Sequence, residues 1–144
     1  MKEYIPLSEG AKILLNTVQK ELFPVLNELK QLLVNIQGLR INCPLYSKQL
    51  IEYQTTYEDT AKRFFVIVQK LETPDILFKD LPQDIQNIAS YFQFENAVGK
   101  NINEGSKYVE IIDRTLDRKR QIIFNYQTLF VAILAIAISI IFNI

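Results

Sequence analysis

Between Gln121 and Ile144 the chain carries no formal charge, and its last part, LFVAILAIAISIIFNI from Leu129, is almost wholly aliphatic. A hydrocarbon core about 30 Å thick takes roughly 20 apolar residues in a helix, and this run supplies that length. The alternative is a buried helix of a soluble domain. A run this rich in isoleucine would then need apolar partners on every face. The N-terminal MKEYIPLSEG has no apolar stretch, so it does not read as a secretory signal. The first turns of the run, Gln121 to Thr128, are mixed and suit the headgroup zone, where Tyr126 and Phe124 match the aromatic belt.

Flanking charge sets the expected orientation. From Lys107 to Arg120 there are five basic residues (Lys107, Arg114, Arg118, Lys119, Arg120) against three acidic ones (Glu110, Asp113, Asp117). The excess gathers at Arg118, Lys119 and Arg120, on the membrane edge. The positive-inside rule then keeps the N-terminal part in the cytoplasm. The layout resembles that of tail-anchored proteins, which is a topology class and not a sequence family. The three bases also have a second reading, as a site for anionic headgroups at about 1 kcal/mol per charge. The span length fits a bacterial inner membrane, an endoplasmic reticulum or a mitochondrial membrane.

The remaining residues suffice for one domain with a modest core. Its 16 basic and 16 acidic residues cancel. With no broad basic field, nucleic acid is not an expected partner. A single cysteine, Cys43, precludes an internal disulfide and suits a reducing compartment.

Helical periodicity dominates this part. Leu15, Val18, Leu22, Val25, Leu29, Leu32, Ile36 and Leu39 alternate in steps of three and four, the seam of a coiled coil or of a helix lying against partners. Leu14, Leu26 and Leu33 broaden it into a bundle-type stripe. A start near Ser8 and Glu9 and an end near Gly38 are expected. Pro24 lies inside, removes one backbone hydrogen bond, and should kink or split the helix. The seam keeps phase across it, which favours one kinked helix.

A second helix is expected after Asn42-Cys43-Pro44, capped by Ser47, with Leu50, Tyr53, Tyr57, Ala61, Phe64, Val68 and Leu71 inward and Thr73-Pro74 as its stop. Phe65 is read with the aromatic core of this helix. Asp80 and Pro82 would open a short third helix through Ile85, Ile88, Ala89 and Phe92. Gly99 and Gly105 then bracket an irregular patch. From about Ser106 a last helix, inward at Val109, Ile112, Leu116 and Ile123, would run on into the membrane.

Along that run Gln121, Asn125, Thr128, Ala132, Ala135, Ser139 and Asn143 fall on one helical face, with Ile, Leu, Phe and Val elsewhere. Small residues let membrane helices approach closely, and amides and hydroxyls can hydrogen-bond across the contact for about 0.5–2 kcal/mol each. The stripe can therefore meet other helices, either copies of itself or a partner subunit. It can instead line a water-filled pore, or be a chance register of residues that lipid tolerates.

Catalysis has little footing. There is no histidine, no glycine-rich phosphate loop and no cysteine cluster. The paired carboxylates Glu58-Asp59 and Asp113/Asp117 could hold a hard cation, but they read as ordinary surface charge beside Arg114, Arg118 and Arg120. No cofactor, metal or small-molecule substrate is implied.

The expected protein is all-α. A cytoplasmic bundle of three to four helices (1–117) would stand on a basic flank and one C-terminal transmembrane helix (118–144) continuous with the last bundle helix. The leading function is non-enzymatic: an interaction or assembly subunit of a membrane complex. It would use the seam from Leu15 to Ile36 and the stripe from Gln121 to Ser139, with the bilayer and another membrane helix as partners. The alternative is a homo-oligomeric pore or membrane-permeabilising effector.

Overall fold

In a computed structural model of the chain, residues 15–43, 45–72 and 85–142 are described, those from 85 to 94 by their backbone alone. Every regular element among them is helical. A π-helical stretch, Val18–Leu22, runs directly into α1 (Phe23–Gly38), followed by α2 (Lys48–Glu72) and α3 (Ile85–Phe142). Expectations at Ser8, Glu9, Leu14, Pro44, Thr73-Pro74, Asp80, Pro82 and Asn143 fall outside the described residues.

Pro24 does not split the first helix. It sits in the opening turn of α1, where its missing N–H is tolerated. The turn before it is widened instead, with the Phe23 amide donating to the Val18 carbonyl. A π turn relieves the clash that a proline ring makes with the carbonyl four residues back. The seam survives this insertion. Val18, Leu22, Val25, Leu29, Leu32 and Ile36 are all buried, and Leu15 is half-buried.

Ser47 caps α2 as expected, its Oγ accepting from the Leu50 amide at 3.3 Å. Leu50, Tyr57, Ala61, Phe64, Val68 and Leu71 are buried, Tyr53 is partly so, and Thr60 and Ile67 join them. Phe65 is a correction. It lies half in solvent, edge-on to Phe64 with centroids 5.5 Å apart, because adjacent helical residues point about 100° apart.

A second correction concerns Gly99 and Gly105. The expected short helix and the irregular patch are both part of α3, one helix of 58 residues. Glycine weakens a helix by about 1 kcal/mol, which is too little to break one whose neighbours pack. Gly105 serves close approach. A Cβ there would run into the Phe64 ring and lie 2.6 Å from Leu26 Cδ2.

α1 and α2 are antiparallel: Glu21 meets Lys70 at 2.8 Å, and Glu28 pairs with Arg63. These pairs are half-exposed, so each contributes no more than about 1 kcal/mol. The helices are held mainly by the shared apolar core, to which α3 adds Val98, Ile112 and Leu116. α3 runs parallel to α1 and antiparallel to α2.

A part-buried polar link crosses between α2 and α3. The Tyr57 hydroxyl donates to the Val109 carbonyl at 3.2 Å. Burial first, then the carboxylates of Asp113, Asp117 and Glu58, raise this phenol above its ordinary 10.0. The neutral phenol is therefore favoured by folding. Its stabilisation is complete below pH 10 and is lost as pH rises through the raised value. Tyr108, bonded to Glu104, shifts in the same direction. Tyr57→Phe is expected to lower stability at pH 7 by about 0.5–1.5 kcal/mol and to flatten the alkaline loss. Urea melts of both proteins at about pH 8 and about pH 11, on either side of an ordinary phenol's titration, check this. Equal pH sensitivity would remove Tyr57 from the account.

Candidate functional site

α3 is the one helix among the described residues long and apolar enough to cross a membrane, and its apolar stretch is not covered by the rest of the chain. From Phe124 to Phe142 every side chain is exposed, including Phe124, Phe130, Leu134 and Ile138. A largely apolar exposed surface of this size marks a membrane or protein contact.

Two faces of α3 can be told apart at about 100° per residue. The inward face carries Ile112, Leu116, Lys119, Ile123 and Gln127. Ile112 and Leu116 are fully buried, and Ile123 packs on the core. Lys119 Nζ donates to the Leu39 carbonyl at 2.7 Å, and Gln127 Nε2 donates to the Leu45 carbonyl at 2.8 Å. The face carrying Gln121, Asn125, Thr128, Ala132, Ala135 and Ser139 lies roughly half a turn away. All six residues are exposed. The stripe thus points away from α1 and α2. Followed back along α3, the same face carries Lys107, Glu110, Arg114 and Asp117, with Glu110 and Arg114 paired. One face of one helix therefore passes from charges to amides and hydroxyls, then to small residues.

The stripe's polar groups differ in what they can still offer. The Thr128 hydroxyl donates to the Phe124 carbonyl one turn back at 2.9 Å, which leaves its oxygen free to accept. Gln121 and Asn125 make no hydrogen bond with any described residue, so both amides keep their full capacity.

The three bases at the membrane edge take different roles. Lys119 turns inward and satisfies a carbonyl just past the C-terminus of α1, where a cation is favoured by the helix dipole. Arg120 bonds Asp117 at 3.0 Å and the Gln54 side chain at 3.1 Å. Arg118 is exposed and unpaired among the described residues. The seam from Val18 to Ile36 lies inside the chain's own core, against α2 and α3, with Leu15 half-buried before it. Asp59 of the first carboxylate pair bonds Arg63 at 3.2 Å.

Gln127 and Gly105 are the residues that sequence reasoning missed. Gln127 continues the inward spacing from Ile112 through Ile123 and could have been found that way. Gly105 gave no sign of contact, because a glycine reads alike whether it breaks a helix or admits a neighbour. No family model, no curated protein and no solved structure matches the chain.

Proposed function

We propose that this chain is a non-enzymatic, single-pass membrane protein that assembles with other membrane helices through the stripe of α3. α3 would leave a cytoplasmic bundle, formed with α1 and α2, and cross the bilayer as one continuous helix. Arg118 and its basic neighbours would stay on the cytoplasmic side. One observation carries the reading: the small and polar stripe faces away from the chain's own helices, and its Gln121 and Asn125 amides have no partner within the described chain. An amide in or near hydrocarbon gains from a partner on another helix. The buried seam is occupied internally, and the stripe, exposed among the described residues, supports the reading as a contact face.

Enlarging the stripe tests this. Ala135→Ile and Ser139→Leu hold the backbones of neighbouring helices apart. Light scattering of the full chain in mild detergent is expected to show a smaller particle for both variants than for the parent, with circular dichroism unchanged. An unaltered mass in both would count against the proposal for self-association. Unaltered recovery of co-purified membrane proteins would close the partner-subunit form as well.

The polar first half of the stripe, Gln121, Asn125 and Thr128, also supports a second reading. Several copies could turn it toward water as a pore. Dye release from vesicles separates the two, since sealed vesicles at high protein density would sink the pore.

A further inference from the structure

We infer that the turn between α1 and α2, centred on Leu45 and Tyr46, is a second membrane contact, embedded in the headgroup layer of the same phospholipid bilayer that α3 crosses. The inference rests on the spanning role proposed for α3. Its own support is the height at which the turn is held. The Leu45 carbonyl accepts from Gln127 Nε2 at 2.8 Å. Gln127 lies seven residues beyond Arg120, the last charge before the uncharged run, or about 10 Å further along the axis. The headgroup layer on each side of a bilayer is roughly 5–7 Å thick. With Arg120 at the outer edge of that layer, a group tied to Gln127 has reached its inner edge. The turn therefore cannot remain in bulk water while α3 spans.

The exposed side chains at this height suit that place. Leu45 is 36% exposed, Tyr46 58% and Ile51 50%, and across a shallow groove from them stands Phe124 at 66%. Leu45, Tyr46 and Ile51, three large apolar or amphipathic groups at one end of the α1–α2 pair, would be a liability in water. They adjoin the exposed surface of α3, since Phe124 lines the same groove, with Gln54, Arg120 and Gln127 as its polar members. Tyrosine is the residue expected where an apolar ring meets water at a bilayer. Lys48, the first residue of α2, is 79% exposed in its side chain, pairs loosely with Glu52 at 3.7 Å, and stands next to this level. The opposite end of the hairpin is far away. Phe64 packs at the level of Gly105, 15 residues before Arg120, so Phe65 lies about 22 Å below the membrane edge.

A two-point attachment has a mechanical consequence. A single helix leaves a domain free to swivel on its stem. A turn seated in the headgroups beside that helix fixes the tilt of α1 and α2 against the bilayer.

The chain contains no tryptophan, so single-tryptophan variants report one position each. Tyr46→Trp, Tyr126→Trp and Phe65→Trp all replace exposed aromatic side chains, and folding is verified by circular dichroism. Each full-length variant is reconstituted in phosphatidylcholine–phosphatidylglycerol vesicles with and without acyl-chain bromine. The Tyr46→Trp protein is expected to emit at shorter wavelength than the Phe65→Trp protein. It should lose a similar fraction of its intensity to bromolipid as the Tyr126→Trp protein, while the Phe65→Trp protein stays unquenched. Quenching in the Tyr126→Trp protein alone would overturn the inference and leave α3 spanning. Quenching in all three variants would also overturn it, because the whole hairpin would then lie on the lipid. Absence of quenching in the Tyr126→Trp protein would remove the spanning reading itself, and this inference with it.

Discussion

Phe64→Ala is expected to cost about 3–5 kcal/mol of unfolding free energy, a large share of the roughly 5–15 kcal/mol typical of a domain. Phe64 is fully buried, and its ring fills the space that Gly105 leaves open between α2 and α3. Urea unfolding of the full chain in mild detergent, followed by circular dichroism, measures the loss. A drop below about 1 kcal/mol, far short of the cost of an aromatic cavity, would mean that α2 and α3 do not pack at this level.

The same pair permits a sharper test. Gly105→Ala should gain about 1 kcal/mol of helix propensity and lose about 1–3 kcal/mol to overpacking against Phe64 and Leu26. Alone it is therefore expected to be neutral to destabilising. In the Phe64→Ala background the cavity admits the new methyl, and the substitution should turn stabilising. A double-mutant cycle with no coupling would show that the glycine is there for another reason.

The second large effect concerns the bilayer. Ile133 is 55% exposed on the apolar side of α3, away from the stripe and near the middle of the uncharged run. Ile133→Asp is expected to add about 2.5–3.5 kcal/mol to the free energy of insertion, a shift of roughly 100-fold in the insertion equilibrium. Alkaline extraction of membranes measures this, with Ile133→Val as the control that stays in the pellet. The helices α1 and α2 should stay folded in both. Full retention of the aspartate variant would argue that Ile133 does not lie near the bilayer centre, and extraction of the parent protein that α3 does not span.

Much of the helical pattern was legible from spacing alone. The seam residues from Val18 to Ile36 are buried, Ser47 caps α2, and Ile112 and Leu116 face inward. Each of these follows from a periodicity of about 3.6 or from local hydrogen bonding, and neither needs knowledge of the partner surface. Phe65 was placed in the core on its chemistry, although its neighbour Phe64 already occupied the inward direction. Of the candidate site, the stripe itself could be read from its spacing. What it faced could not.

By itself the sequence determined that the chain is helical, where α2 begins, and which stretch is apolar enough to enter a membrane. These are properties of single segments, set by the chemistry of residues within a few positions of each other. Tertiary structure alone decided that α3 passes unbroken through Gly105, that Lys119 and Gln127 bind the ends of the α1–α2 connection, and that the stripe points outward. Each of those depends on groups far apart in sequence, Phe64 with Gly105, Leu39 with Lys119 and Leu45 with Gln127. Which groups meet is settled only when the three helices choose a common core.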